Sequence, residues 1–193
     1  MSELSALAEL LSLLLRDPRT GVLLVLLLLA AVIDWKTLRI PNWLTAGGMA
    51  VGLVVNVLAA PNAWSGFATA SMGLLLGLLL LLPLWMLRIL GAGDVKLMAM
   101  VGAFIGPWAT LNATFYVVVT GGIAALLVAT SKGALGRLAW NLRYMVALLF
   151  TPAGGAWRPG TSAAMPSVGR LPYGICICIG ATAYLVVRQL GFA

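Results

Sequence analysis

The sequence lacks histidine altogether and has few residues capable of acid–base or metal chemistry. Without a histidine among its 193 residues, the chain cannot form a Ser-His-Asp triad, a Cys-His pair or a histidine-ligated metal site. Its two cysteines, Cys176 and Cys178, would point to different faces of a helix, so they cannot make a zinc site alone. Their number also excludes a disulfide framework. We therefore expect no metal and no cofactor, and five carboxylates remain as acid–base candidates: Glu3, Glu9, Asp17, Asp34 and Asp94.

Charged residues of either sign are also scarce. They make up 9% of the chain, against 62% hydrophobic residues, whereas a soluble domain carries roughly 25% charged residues. Twelve basic and five acidic side chains cannot cover a globule of this size in water, so the composition indicates an integral membrane protein. The net charge of +7 does not indicate nucleic-acid binding, because the basic residues stand singly, as they do in the cytoplasmic loops of membrane proteins.

A helix needs about 20 apolar residues to cross a bilayer, or fewer if its ends lie in polar protein surroundings, and six apolar segments are candidates, of which 95–105 is short. We expect an all-α, polytopic membrane domain over residues 21–190, with transmembrane helices near 21–38, 43–60, 67–90, 95–105, 109–130 and 173–190. Residues 1–20 are predicted to form an N-terminal interfacial helix. The link 131–172 is predicted to be a cytoplasmic surface helix followed by an irregular loop.

The basic residues orient these spans in the membrane. With the link between the first two spans in the cytoplasm, nine basic residues lie on that side and three outside, which follows the positive-inside rule. Six spans then place both termini outside. The cytoplasmic residues are Lys36, Arg39, Arg88, Lys96, Lys132, Arg137, Arg143, Arg158 and Arg170, and the outer ones are Arg16, Arg19 and Arg188.

Two of the five carboxylates lie at the edges of apolar spans. Asp34 ends the first span and Asp94 begins the fourth, so both lie at the cytoplasmic end of the domain, where they can meet. The other three belong to the N-terminal segment, where a solvated face is the default. An ionisable residue within a span costs roughly 2.5–3.5 kcal/mol on insertion scales and is by default functional. Two carboxylates in contact share a proton and titrate as a pair.

Glycines precede the second aspartate. Gly91 and Gly93 permit a close backbone approach or a positive φ, and we interpret both as shaping the backbone. Asp94 then stands where a helix N-cap belongs, and its carboxylate would accept hydrogen bonds from free N–H groups.

The first aspartate is followed by basic residues and a helix break. Pro41 and Asn42 are expected to shape the turn between the first two spans. Lys36 and Arg39 fit the positive-inside pattern, with substrate contact as the alternative. Lys96, two positions beyond the second aspartate, points about 200° away from it on a helix. We interpret Lys96 as an orientation-setting lysine that extends to the membrane surface.

Three motifs together resemble those of the type IV prepilin peptidases. The string Gly91-Ala-Gly93-Asp94-Val-Lys96-Leu97 is similar to the GxGDxKL motif of the GxGD-type aspartyl peptidases. Asp34 with Ile40-Pro41-Asn42 resembles the other half of the prepilin peptidase signature. Leu171-Pro172-Tyr173-Gly174, at the start of the last span, is similar to the PYG element of the same family. The resemblance covers about residues 21–190.

The resemblance implies a membrane aspartyl peptidase that removes the leader peptide of prepilins or pseudopilins at the cytoplasmic face. It makes Asp34 and Asp94 the catalytic residues, with no metal. Its substrates would carry a short basic leader followed by a long apolar helix. Larger members have paired Cys-x-x-Cys motifs and also methylate the new pilin N-terminus. These motifs do not occur in this sequence, which is similar to the short form associated with Flp (tight-adherence) pili, and we expect no methyltransferase activity.

Two other functions stay open. A non-enzymatic polytopic subunit for pilus assembly or transport would explain the spans and the charges, with the two aspartates as a proton or cation site. It does not predict the glycines before Asp94 or the Ile40-Pro41-Asn42 turn. A GxGD peptidase for other substrates, such as archaeal preflagellins, is the third possibility.

Overall fold

The computed structural model of the chain is built from α-helices. It describes residues 17–86, 89–137, 139–140, 143 and 172–191, and no strand occurs among them. Six helices have defined bounds within these ranges, and they lie at the places of the six predicted ones, with ends that differ by a few residues. That all six cross the membrane stays a prediction. They are α1 Pro18–Thr37, α2 Asn42–Ala59, α3 Ala63–Met86, α4 Ala92–Ile105, α5 Pro107–Ser131 and α6 Tyr173–Gln189.

The helices differ in their ability to cross a membrane. Among the described residues, α1, α2, α3 and α5 are long and apolar enough to do so, and α6 is apolar but has 17 residues. Helix α4 has 14 residues. At 1.5 Å per residue it is about 21 Å long, which is less than the ~30 Å of a hydrocarbon core.

Helix α4 can be short because it lies at the centre of the bundle. Ten of its 14 residues are buried, and Leu97, Met98, Met100 and Val101 are completely so. It packs against α1, α2, α3 and α6. Other helices therefore surround α4, and its length need not match the thickness of the bilayer.

Glycines allow α3 and α4 to pack backbone against backbone. A Cβ added to Gly73 would overlap the carbonyl oxygen of Gly102, and one added to Gly77 would overlap that of Met98. On another face of α3, Leu79 is 56% exposed, as expected for a side chain in lipid. Small residues at the contact let membrane helices approach closely, and Leu75 and Leu79 lie on the exposed surface of α3.

A polar N-cap and a residue in the left-handed backbone conformation set the two ends of α1. Asp17 is its N-cap, with Oδ1 accepting a hydrogen bond from the N–H of Arg19 at 3.0 Å. Pro18 follows at the first helical position, where its missing N–H has no cost. At the other end Leu38 has φ +51°, and its N–H donates to the carbonyl oxygen of Asp34 at 2.8 Å. This stop places Asp34 in the last turn of α1.

The chain divides into two compact units, one of Met1–Gly121 with Pro172–Ala193 and one of Gly122–Leu171. The first unit holds α1 to α4, the beginning of α5 and the whole of α6. In the second, α5 ends at Ser131 and the chain turns at Gly133, whose φ is +61°. The predicted N-terminal interfacial helix and most of the predicted 131–172 link lie outside the described residues.

Candidate active site

The carboxylate of Asp34 is held at the N-terminus of α6. Asp34 is 4% exposed, and its Oδ2 accepts a hydrogen bond from the N–H of Gly174 at 2.7 Å. Gly174 lies in the first turn of α6, where backbone N–H groups have no partner within the helix. The positive end of the helix dipole also favours a carboxylate at this place. Helix α6 therefore positions this aspartate with a backbone donor.

Gly174 must lack a side chain for this contact to form. A Cβ at this position would lie 2.8 Å from Oδ2 of Asp34 and 3.1 Å from its Cγ. From the sequence, Gly174 stands out only as part of the Pro172-Tyr173-Gly174 element. Its role as the donor to Asp34 was missed, because the two residues are 140 positions apart.

Asp94 is held by the start of its own helix. The prediction that Asp94 is the N-cap is wrong, because α4 begins at Ala92 and its N-cap is Gly91. Asp94 is the third helical residue, and its Oδ2 accepts a hydrogen bond from the N–H of Gly91 at 3.0 Å. This is the geometry in which an acidic residue at N3 reaches back to the N-cap. Asp94 is 9% exposed, so its carboxylate is nearly buried.

The two glycines before Asp94 provide space and do not use a positive φ. Gly91 has φ −76° and ψ +152°, an extended conformation, and Gly93 is not among the residues with positive φ. A Cβ on Gly93 would lie 3.1 Å from the Cβ of Ile40. Gly93 therefore lets the start of α4 approach the turn that follows α1.

Asp34 and Asp94 belong to one cluster at one end of the bundle. Asp34 lies in the last turn of α1 and Asp94 in the first turn of α4, and Gly93 packs against Ile40 in the turn that follows α1. In the described part of the chain, no ion pair involves either aspartate. Each carboxylate therefore has a backbone N–H as its partner, and no cation among the described residues neutralises either one.

Lys96 connects two of the motifs. Its Nζ donates a hydrogen bond to Oδ1 of Asn42 at 2.9 Å, so the first residue of α2 and the second turn of α4 are joined at the bundle surface. Pro41 is the N-cap of α2, which agrees with the predicted turn. Lys36 and Arg39 are exposed beyond the buried Asp34. The predicted residues thus share one end of the bundle, with the two aspartates inside and the basic side chains outside.

The described residues contain no group of three or more His, Cys, Asp or Glu side chains with the geometry to hold a metal ion. The chemistry that this cluster itself offers is that of two carboxylates and two backbone N–H donors.

Comparisons with known proteins place this cluster in a family context. The model of the type IV leader peptidase family matches residues 21–126, a range that includes both aspartates. Two curated proteins are similar, each a prepilin leader peptidase/N-methyltransferase of Burkholderia pseudomallei, from strains 1026b and K96243. Each is 34% identical over 143 residues, which are 67% of this chain and 42% of the relative. The chain therefore spans less than half the length of these relatives. No solved structure gives a significant match.

Proposed function

This chain belongs to the type IV leader peptidase family, and we propose that it is an aspartic endopeptidase with Asp34 and Asp94 as its catalytic pair. The reaction is the removal of the leader peptide from prepilins of the Flp type, at the cytoplasmic face of the inner membrane. The observation that carries this proposal is the buried pair of carboxylates at one end of the bundle, each fixed by one backbone N–H.

A carboxylate pair in this setting suits peptide hydrolysis. Two nearby carboxylates repel each other when both are ionised, so one keeps a proton and the pair holds an acid and a base together. The backbone donors from Gly174 and Gly91 fix the orientation of both groups. Because these donors belong to helix starts, the pair is positioned on rigid elements, which catalysis requires.

In the proposed reaction, the ionised carboxylate takes a proton from a water molecule as the water oxygen attacks the scissile carbonyl carbon. The protonated carboxyl group donates a hydrogen bond to the carbonyl oxygen, which gains negative charge. Collapse of the tetrahedral intermediate breaks the C–N bond. The departing amine receives a proton from the pair, which returns to its singly protonated state.

The position of the pair fits a substrate that is itself a membrane helix. Trp35 and Trp43 flank the turn after α1 and are 70% and 69% exposed, and indoles favour the interface between bilayer and water. Asp34, next to Trp35, would then lie near that interface. The apolar helix of a prepilin can lie in the bilayer beside the enzyme, with the junction to its basic leader at the depth of the aspartates.

The experiment that tests this proposal is cleavage of a co-expressed Flp-type prepilin, followed as a shift in electrophoretic mobility. We expect the parent to process the prepilin and Asp34→Asn and Asp94→Asn to abolish processing at unchanged membrane levels, because asparagine keeps the size of aspartate but cannot ionise. Glu9→Gln, which also converts a carboxylate to an amide, is the matched control and should process normally.

Each other outcome contradicts a defined part of the proposal. Processing that survives in Asp34→Asn or Asp94→Asn would show that the assigned pair is wrong. A parent that processes no Flp-type prepilin would contradict the substrate assignment and favour a proton or cation site in a non-enzymatic subunit.

We further propose that the aspartate end faces the cytoplasm and that both termini lie outside. Lys36, Arg39 and Lys96 are exposed at this end, which agrees with the positive-inside rule. Alkaline phosphatase fused after α6 should be enzymatically active, and green fluorescent protein fused at the same place should not fluoresce. The reverse pattern would contradict this orientation.

We also propose that this chain cleaves without methylating. Its cysteines are Cys176 and Cys178 alone, so these 193 residues hold no Cys-x-x-Cys pair. The purified chain should release the leader and transfer no labelled methyl group from S-adenosylmethionine to the cleaved pilin. Labelling of the pilin above the level of the Asp94→Asn control would contradict this.

A further inference from the structure

A polar cavity of about 150 Å³ lies at the end of the bundle opposite to the aspartate pair. It is bounded by the start of α1 and the ends of α4 and α6. At ~30 Å³ for each water molecule, this volume is large enough for a phosphate group. The polar residues that line it are Asp17, Arg19, Thr20, Asn56, Thr69 and Arg188.

Arg19 is the best-defined donor in this cavity. Its Nη1 donates a hydrogen bond to Oδ1 of Asn56 at 3.1 Å. Its Nε is buried and has no hydrogen-bond partner among the described residues, and it is 3.5 Å from Oδ1 of Asp17. This Nε is in a salt bridge with Asp17. The Arg19 side chain as a whole is 36% exposed, so its guanidinium keeps N–H groups that an oxygen of a bound anion can reach.

Asn56 fixes the guanidinium in this position. Its Nδ2 donates to the carbonyl oxygens of Gly52, Ala103 and Phe104, at 3.0, 2.8 and 3.0 Å. The amide is therefore locked between α2 and α4, with its oxygen turned toward Arg19. The arginine is held by a rigid part of the bundle.

The charge balance of the lining favours an anion. Arg19 and Arg188 contribute two positive charges and Asp17 one negative charge, so the formal charge is +1. In the orientation proposed above, the positive-inside rule disfavours basic residues at this end of the membrane domain, yet two arginines line this one cavity. Planar guanidinium groups match the oxygens of phosphate, and threonine hydroxyls add donors. We propose that this cavity binds a phosphate group, supplied either by a phospholipid headgroup or by free phosphate.

Thermal unfolding of the purified full chain in detergent tests the proposal. The probes are inorganic phosphate, short-chain phosphatidylglycerol and, as the control without phosphate, short-chain diacylglycerol. A ligand that binds the folded state raises the Tm with its concentration. A rise with phosphatidylglycerol alone identifies a lipid headgroup, and a rise with inorganic phosphate as well identifies a site open to free phosphate. A parent that responds to neither, or equally to diacylglycerol, overturns the proposal.

Two variants should shift the affinity in opposite directions. Arg188→Gln removes one guanidinium and should weaken phosphate binding about tenfold or more, as expected for one charge-assisted hydrogen bond. Asp17→Asn keeps a capping side chain, removes the negative charge and should tighten binding. Arg137→Gln, which removes an exposed arginine from another part of the chain, is the matched control and should bind like the parent.

Both variants should change phosphate binding in a way that a mere disturbance of the structure would not. Arg188 is exposed, so its replacement should leave the Tm without ligand unchanged. Parent-like binding by Arg188→Gln, or weaker binding by Asp17→Asn, would overturn the assignment of an anion site. If Arg188→Gln fails to fold, the direction of the Asp17→Asn change decides alone. None of these readouts depends on peptidase activity.

Discussion

Replacing Gly174 by alanine tests how the carboxylate of Asp34 is positioned. The change adds one methyl group in the first turn of α6 and leaves both aspartates in place. The new Cβ would lie 2.8 Å from Oδ2 of Asp34, the atom that accepts the N–H of Gly174 at 2.7 Å. The methyl group therefore competes for space with the atom that the backbone donor must reach.

The size of the effect follows from this distance. Ordinary van der Waals contact begins at 3.4 Å, so the carboxylate oxygen must withdraw by about 0.6 Å, beyond the ~0.5 Å tolerance of catalytic geometry. A misplacement of about 1 Å costs roughly 10²-fold in rate, so we expect Gly174→Ala to lower kcat/KM by about 10- to 100-fold. Overpacking costs about 1–3 kcal/mol in the free energy of unfolding.

The assay is cleavage of a fluorogenic prepilin peptide by the purified protein in detergent, with the Tm measured in parallel. Gly47→Ala is the first control, because nothing lies within 4 Å of a Cβ at that position, and it should cleave like the parent. Gly180→Ala, also in α6, is the second. Its Cβ would lie 2.6 Å from the Cα of Val117, so it should lower the Tm while the folded fraction keeps its kcat/KM.

A Gly174→Ala protein that is folded and cleaves as fast as the parent would refute this reasoning. The same holds if Gly180→Ala lowers kcat/KM as much as Gly174→Ala at equal folded fraction. The loss would then come from general disturbance of α6 and not from the carboxylate of Asp34.

Three further predictions concern stability and coupling. Asn56→Leu leaves three backbone carbonyls without their side-chain donor and should lower the free energy of unfolding by about 1–3 kcal/mol; an unchanged SDS-induced unfolding curve would contradict this. Gly73→Ala pushes a methyl group into the backbone of α4 and should lower the free energy of unfolding by about 1–3 kcal/mol through overpacking. Parent-like stability in the same assay would show that α3 can shift away from α4 without cost. Lys96→Met and Asn42→Ala should each reduce cleavage, and the double variant should reduce it no further, because the two changes remove the same hydrogen bond. Additive losses would mean that the two residues do not act on cleavage through this bond.

The membrane class and the helices could be predicted because their causes are local. Apolar runs, single basic residues and helix-breaking prolines are visible in the chain, and the bounds of α1, α2 and α6 differ from the expected ones by a few residues at most. Asp34 and Asp94 could be singled out because an ionisable residue at the edge of an apolar run is rare. The capping role of Asp94 was assigned to the wrong position, since cap geometry depends on where the helix begins, and that boundary is set by packing.

The sequence by itself thus determined that this is an all-α membrane protein with two exceptional carboxylates, because hydrophobicity and charge act over short stretches of chain. Only the tertiary structure decided that Asp34 takes its hydrogen bond from Gly174 and that Lys96 meets Asn42. It also decided that α4, the shortest of the six helices with defined bounds, occupies the centre. These hydrogen bonds join residues 140 and 54 positions apart, and helix packing brings them together. The same packing places two arginines around one cavity at the opposite end, where the sequence showed only isolated charges.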